Sequence, residues 1–284
     1  MKKIATIGFF DGVHRGHRYL FEQLQSEAAR RGLKPLILTF DVHPRTVVQS
    51  SYIPQLLTSL DERCALLAQY GEVEVLPFAE VQPLTALQFM QRIRDCYEVS
   101  ALMMGYDHRF GSDRLSSPED YRTIGASIGI DVLTMDEYRG EVGHVSSTEI
   151  RTALSEGRVT DAQSLLGYPY MLSGEVIHGK ALGRTIGFPT ANIQPSEPYE
   201  IVPKPGVYAV SVRSEAFDWR PAMLNIDAKG IIEVHIPSFE GDLYHQNLQI
   251  RFLRFIREER QFGSLDELKR QIKADVDSSL HPDA

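Results

Sequence analysis

Residues 1–135 alternate between apolar runs of strand length and stretches whose apolar residues recur at helical spacing, and this alternation narrows the possible folds most. Ile4 to Phe10 is the first β-rich run. Leu20, Leu24 and Ala28 then recur at helical spacing up to Gly32, a fitting C-cap. Leu36 to Phe40 reads as the next strand, and Ser59 with Glu62, spaced as a capping box, opens a helix to Tyr70. Val73 to Leu76 follows as strand. Thr85 and Gln88 repeat the box before a helix to Tyr97, and the series ends with strand Ala101 to Gly105, helix Pro118 to Ile128 and strand Asp131 to Met135. Strands joined by helices predict an α/β fold with a Rossmann-like, doubly wound parallel sheet.

Beyond about Gly167 the pattern changes. Leu172 to Ile177, Val207 to Arg213, Ala222 to Ile226, Ile231 to Ile236 and Leu248 to Ile256 are short β-rich runs punctuated by Gly and Pro, which predicts an antiparallel barrel or sandwich. A terminal helix closes the chain: Ser264 and Glu267 have capping-box spacing, and Leu268, Ile272 and Val276 form one apolar stripe. Two domains are therefore expected, 1–165 and 166–284, with the junction near Asp161 to Tyr168.

The formal charge of −8 argues against broad nucleic-acid binding, so an anionic ligand must be held by local groups. Cys64 and Cys96 lack a CxxC spacing and lie in apolar helical patterns, which predicts buried free thiols in a reducing cytoplasm. Met1-Lys2-Lys3 is not followed by the apolar run and small-residue site of a signal peptide, and no run approaches the ~18 apolar residues of a membrane span. A cytoplasmic protein without membrane contact is expected.

Directly after the first strand stands GFFDGVHRGH, residues 8–17. Gly12 and Gly16 remove side chains where the chain turns into a helix, so backbone N–H groups and the helix dipole can face a phosphate. His14 and His17, three apart, share one helical face and can donate to a phosphoryl oxygen as charge grows there. The plainer reading is a glycine-punctuated turn with two surface histidines. Neither GxGxxG nor GxxxxGK[ST] is present in this loop, which disfavours a dinucleotide fingerprint and a P-loop.

Two further loops occupy comparable places. Residues 105–111, GYDHRFG, follow the fourth strand and offer Asp107 and Arg109; an ordinary loop would look the same. Ser146-Ser147-Thr148 precedes a helical run with Arg151 one turn in, where simple N-capping is the competing reading. In the second half, GKALGRTIGFPTAN spans 179–192. Its glycines at 179, 183 and 187 allow close approach to phosphates, and Thr190 and Asn192 share a side if the chain is extended, as neutral oxygen donors suited to Mg-ATP. A glycine-rich turn before an edge strand is the alternative. In Ile231 to Ile236, alternation puts Ile232, Val234 and Ile236 on one face and Glu233 with His235 on the other, where Glu233 reads as a solvent-facing strand residue.

Four ordered motifs, GFFDGVHRGH, TFDVHP (39–44), GYDHRFG and SSTEIR (146–151), together resemble the adenylyltransferase module of the bacterial bifunctional riboflavin kinase and FAD synthetase family. GRTIGFPTAN is similar to the kinase motif of the same family. The resemblance implies nucleotide contacts at Gly8, Phe10, Asp11, Gly12, Gly16, Asp107, Ser146 and Ser147, with His14, His17 and Arg151 catalytic in transfer of the adenylyl group of ATP to FMN. It implies Gly179, Gly183, Arg184 and Pro189 at the second nucleotide, Thr190 and Asn192 at Mg2+, and Glu233 as general base toward the ribityl hydroxyl of riboflavin. Arg257 and Phe262 would be flavin-side, in a segment 257–275 that matches the family, as does FEGDLY (239–244). Riboflavin, ATP, FMN and FAD are the implied substrates and products. Val42 and His108 stand where the family has proline and phenylalanine, and Asp227 and His245 where it has glycine. The loop from Asp227 to Gly230 is also shorter. Two other expectations therefore stand beside the main one: an adenylyltransferase whose barrel only binds flavin, and a sheet domain acting on another small phosphate.

Overall fold

The computed structural model of the chain describes residues 1–49, 51–105, 108–136, 138, 143, 145–179 and 182–280. By internal packing the chain divides into two compact units, Met1–Pro54 with Leu60–Val145, and Gln55–Ser59 with Ser146–Ala284.

The first unit runs β1 (Lys3–Ile7), a 3-10 turn (Asp11–Val13), α1 (Arg15–Arg31), β2 (Lys34–Phe40), α2 (Pro44–Val48), α3 (Leu60–Leu67), β3 (Glu72–Leu76), α4 (Phe78–Val81), α5 (Ala86–Tyr97), β4 (Val99–Met104), α6 (Pro118–Ser127) and β5 (Asp131–Thr134). All strand pairs are parallel, in the order β3-β2-β1-β4-β5. Side chains alternate across the sheet, so each strand feeds two cores. Ile4 and Ile37 meet Phe21, Leu24 and Ala28 of α1 and Leu67 of α3. Ala5, Ile7, Leu36 and Leu38 meet Phe89, Met90 and Ile93 of α5 and Tyr121 of α6. Burial on both faces is why β2 reads as an almost unbroken apolar run. The order reverses beside β1, because β2 and β3 lie to one side and β4 and β5 to the other. Crevices for ligands form at the carboxyl ends of strands at such a point, and GFFDGVHRGH leaves β1 there.

Thr85 and Gln88 form the expected capping box, and Gly32 ends α1 in the left-handed region. The thiols differ from expectation: Cys96 is exposed and Cys64 only half-buried. Cys96 sits in the last turn of α5, beyond the buried stripe that ends at Ile93.

The second unit contains α7 (Ser147–Ser155), α8 (Val159–Leu166), β6 (Met171–Ile177), α9 (Leu182–Thr185), β7 (Ala191–Pro195), β8 (Gly206–Ser214), β9 (Phe217–Ile226), β10 (Ile232–His235), β11 (Asn247–Arg257) and α10 (Leu265–Leu280). Its strands form a closed antiparallel barrel, β10-β7-β6-β11-β8-β9, sealed by the β9–β10 pair. Closure leaves β7 paired on both sides, with β6 and β10, so the segment after the glycine-rich string is not an edge strand. Leu172, Val176, Tyr208, Val210, Leu224, Ile232, Val234, Ile250 and Phe252 are buried in this unit. β9 begins at Phe217, earlier than the sequence indicates, because Pro221 interrupts its pattern. β10 pairs with β9 only from Met223 onward, so the missing N–H of Pro221 breaks no ladder on that side. The expected junction, Asp161 to Tyr168, falls largely within the helix α8, whose Val159, Ala162 and Leu166 are buried.

The terminal helix packs as its stripe predicts: Val276 and Ile272 cover Val207 and Met223 on the outside of the barrel. Asp275 pins it, accepting from the guanidinium of Arg257 at 2.7–3.1 Å and from Gln271 at 2.7 Å. The Ser264 hydroxyl accepts from the Glu267 N–H, while the Glu267 carboxylate reaches Gly263 N.

Candidate active sites

The turn between β1 and α1 is sterically constrained. A Cβ on Gly8 would lie 2.6 Å from the Phe10 ring. Phe10 (φ 56), Gly12 (φ 76) and Val13 (φ 39) all occupy the left-handed region, which a β-branched residue rarely enters. The turn delivers His14 to the N-cap of α1 in an extended conformation, without a side-chain cap bond. The first-turn N–H groups of α1 thus remain oriented for an anion. The imidazoles of His14 and His17 stack with centroids 3.6 Å apart and planes 18° apart. A Cβ on Gly16 would stand 3.3 Å from the His14 ring, which accounts for the glycine between them. The histidines are not free surface groups, since His14 is 6% exposed and His17 half-buried with its ring edge-on to Phe10 at 5.2 Å. Burial, and secondarily the neighbouring His14, hold the His17 imidazole well below its ordinary range, so it is neutral at pH 7. Asp11 is also buried, 4% exposed, inside the same turn. The sequence-predicted Gly8, Phe10, Asp11, Gly12, His14, Gly16 and His17 are therefore all gathered at the carboxyl end of the central strand β1.

Asp107 falls outside the described residues. Ser146 and Ser147 begin the helix α7 of the second unit, where Ser146 and Glu149 form a complete capping box. The N-capping reading of this motif is thus realised. Arg151 donates through Nε to the carbonyl of Gln55 at 2.5 Å.

In the barrel, register brings the second set together. Glu233 of β10 stands opposite Asn192 of β7 and Asn225 of β9. Directly opposed residues project to the same face, so a carboxylate lies between two carboxamides. Ile232, Val234 and Ile236 are all buried, as their alternation predicts. Glu233 is half-buried rather than solvent-facing, and His235 is 7% exposed with Nδ1 2.7 Å from the Pro189 carbonyl. A cavity of about 460 Å³ is lined by Arg184, Pro189, Thr190, Val234, Asp242 and Tyr244, among others; Val234 and Glu233 are adjacent on β10 and project to opposite faces. Tyr244 is held by stacking on His178, centroids 3.9 Å apart. No sequence period links those two residues, because they meet only through the barrel.

The glycines of 179–187 approach the chain itself. A Cβ on Gly179 would fall 2.0 Å from the Asn192 amide nitrogen, and one on Gly183 2.2 Å from the Phe188 carbonyl and 3.3 Å from Thr190 Oγ1. They shape the Thr190–Asn192 segment. Gly179→Ala is therefore expected to displace Asn192 and lower the activity of the barrel site by about 10–100-fold, with the sheet unit's activity unchanged, in parallel steady-state assays.

The short loop is a well-formed turn. Asp227 Oδ1 accepts from the N–H groups of Lys229 and Ile231 at 2.8 Å each, and Ala228 N donates to Glu259 at 3.1 Å. Asp227 in the place of glycine supplies the cap that a hairpin this short requires. His245, also in place of glycine, is left-handed (φ 63) and bonds Glu175 at 2.9 Å. Arg257, besides holding Asp275, has its guanidinium 5.8 Å from the Phe262 ring. Among the described residues no group of three or more His, Cys, Asp or Glu could hold a metal, and no helix is long and apolar enough to cross a membrane.

The FAD synthetase family model matches residues 1–149 and the riboflavin kinase model residues 166–281. Among curated relatives, the bifunctional riboflavin kinase/FMN adenylyltransferase of Escherichia coli (strain K12) is 37% identical over 283 residues, covering 96% of this chain and 90% of the relative. The protein of that name from Bacillus subtilis (strain 168) is 33% identical over 299 residues, 98% of this chain and 92% of its own. A crystal structure titled macrolide-efflux protein from Streptococcus pneumoniae superposes with a TM-score of 0.87 at 32% identity, covering 98% of this chain and 93% of that one. Two matched modules in one chain, with relatives aligned across nearly its whole length, place this protein in the bifunctional riboflavin kinase/FMN adenylyltransferase family.

Proposed function

We propose that residues 166–284 transfer the γ-phosphoryl group of ATP to riboflavin, giving FMN and ADP, and that residues 1–165 transfer the adenylyl group of a second ATP to FMN, giving FAD and pyrophosphate. The observation that carries the kinase half is the register that sets Glu233 against Asn192, two residues from Thr190. Glu233 takes the proton of the ribityl hydroxyl as that oxygen attacks phosphorus, which requires only hydrogen-bond reach and an in-line approach. Arg184 is the cation of the cavity and Tyr244 its aromatic wall.

Thr190 and Asn192 fit a magnesium ion, since both offer neutral hard oxygens and the ion takes its remaining ligands from water and substrate phosphates. Bound there, magnesium would neutralise charge on the transferred phosphoryl group.

In the sheet unit the stacked histidines and the open first turn of α1 form the anion-facing surface. With His17 neutral, its imidazole keeps one N–H to donate to an oxygen of the α-phosphorus as negative charge develops, and the stacking on His14 fixes its orientation in the fold. The reading of the barrel as a flavin-binding module without turnover is disfavoured by the closed Asp227 hairpin, which leaves the Glu233–Asn192 pairing intact. We assign the enzyme to the cytoplasm, where its nucleotide substrates are made.

The test is chromatographic. The purified chain with riboflavin, ATP and magnesium should yield FMN and FAD, and with FMN should yield FAD; chelation by EDTA should stop both. FAD from FMN with no product from riboflavin would reduce the barrel to a binding module.

A further inference from the structure

Arg63 is a buried cation to which neither reaction assigns a role. It lies in the first turn of α3 and is 1% exposed, the bulkiest of the fully buried side chains. Burying a guanidinium is costly unless its partners are fixed, and its partners all belong to the rim of the adenylyl site. Nη2 donates to the Phe40 carbonyl at 2.6 Å, at the carboxyl end of β2. The guanidinium carbon lies 4.0 Å from the centre of the Phe9 ring. Among titratable neighbours the buried Asp11 weighs most, ahead of Cys64 and Asp41. Nε is buried without a hydrogen-bond partner, so desolvation of the group is only partly offset.

Phe9 and Asp11 flank Phe10, and the left-handed residues Phe10, Gly12 and Val13 follow one another into His14. Such a backbone persists only where its surroundings over-determine it. Three restraints meet here: Thr39 Oγ1 donates to the Phe9 carbonyl at 3.1 Å, the His43 ring stands edge-on to Phe9 at 4.8 Å, and Arg63 occupies the space between the Phe9 ring, Phe40 and Asp11. α3 packs directly on the 3-10 turn.

We infer that Arg63 is a positioning residue for adenylyl transfer, which holds the strained Phe9–Val13 turn through Phe9 and Asp11 and so sets the stacked histidines at the N-terminus of α1. It touches no substrate, being enclosed by the chain. The inference rests on the reading of His14 and His17 as the phosphate-facing groups.

The experiment compares Arg63→Met and Arg63→Lys in the full chain, with FMN adenylylation as the readout and riboflavin phosphorylation in the same preparation as an internal control. Displacing a catalytic pair by about 1 Å costs on the order of 100-fold, so Arg63→Met should lower the adenylylation kcat by about that factor while KM for ATP changes less than about threefold. Arg63→Lys keeps the charge but not the flat face on Phe9, and kcat should fall only about tenfold, with the kinase within about twofold of wild type in both. If Arg63→Met does not fold, Arg63→Lys remains decisive: an undiminished kcat overturns the inference, as does a loss taken up in KM or one shared equally by the kinase. His17→Asn is run alongside. Adenylylation intact in that variant would overturn the histidine reading and the Arg63 inference with it, whereas a loss there with wild-type kcat in the Arg63 variants would overturn the Arg63 inference alone.

Discussion

Glu233→Gln abolishes the conversion of riboflavin to FMN, a fall of about 10³-fold or more, and leaves the conversion of FMN to FAD at the wild-type rate. The amide keeps the shape of the side chain and its place opposite Asn192 and Asn225 but cannot accept the hydroxyl proton, and general-base contributions commonly reach about 10²–10⁴-fold. The loss should appear in kcat, since the Thr190 cavity and Arg184 that receive the nucleotide are untouched. Separate steady-state assays on riboflavin and on FMN check this. Phosphorylation retained within about tenfold would remove Glu233 from the role of base.

His17→Asn gives the converse pattern. Adenylylation should fall by about 10²–10³-fold, the usual loss for one donor aimed at developing charge, while phosphorylation of riboflavin continues. The variant also carries a pH signature. The folded-state pKa of His17 lies below its unfolded value of about 6.5, so in the window between the two the unfolded chain binds a proton that the folded chain refuses. Stability therefore rises with pH through that window, is fully present above about pH 6.5, and is lost as pH falls toward the folded pKa. Asparagine does not titrate. Melting curves at pH 5 and pH 8 should converge in the variant relative to wild type, and an unchanged acid loss would mean that another group is responsible.

These two sites differ in how far they can be read from the sequence. The sheet site is local: the glycines and histidines of GFFDGVHRGH are neighbours in the chain, and a turn from a strand into a helix brings them together unaided. The pattern does not say that His14 is buried or that Phe10 and Val13 are left-handed, because those features depend on α3 and on Phe40, which come from remote stretches. Arg63 carries no signal at all, for an arginine among the first residues of a helix ordinarily reads as solvated surface. The SSTEIR capping box was likewise readable, since its bonds span three residues.

The barrel site depends on register. Alternation around Glu233 gives its face but not its neighbour, and only the pairing of β7 with β10 sets it against Asn192. A strand paired on both sides within a closed barrel cannot be told from an edge strand by a five-residue pattern, which is why Ala191–Pro195 was ambiguous. Arg257, the expected flavin-side cation, uses its guanidinium to hold Asp275 and thereby the terminal helix, a contact made across the fold. Asp227, a departure from the family's glycine, becomes intelligible once its two backbone bonds are seen.

Two independent sites in one chain act in sequence on this reading, and mixing the two variants separates them. His17→Asn with riboflavin, ATP and magnesium should accumulate FMN without FAD, and Glu233→Gln should form neither. Together they should make FAD from riboflavin, as FMN released by one is adenylylated by the other. FAD from riboflavin with either variant alone, or none from the mixture while each retains its single activity, would contradict the account.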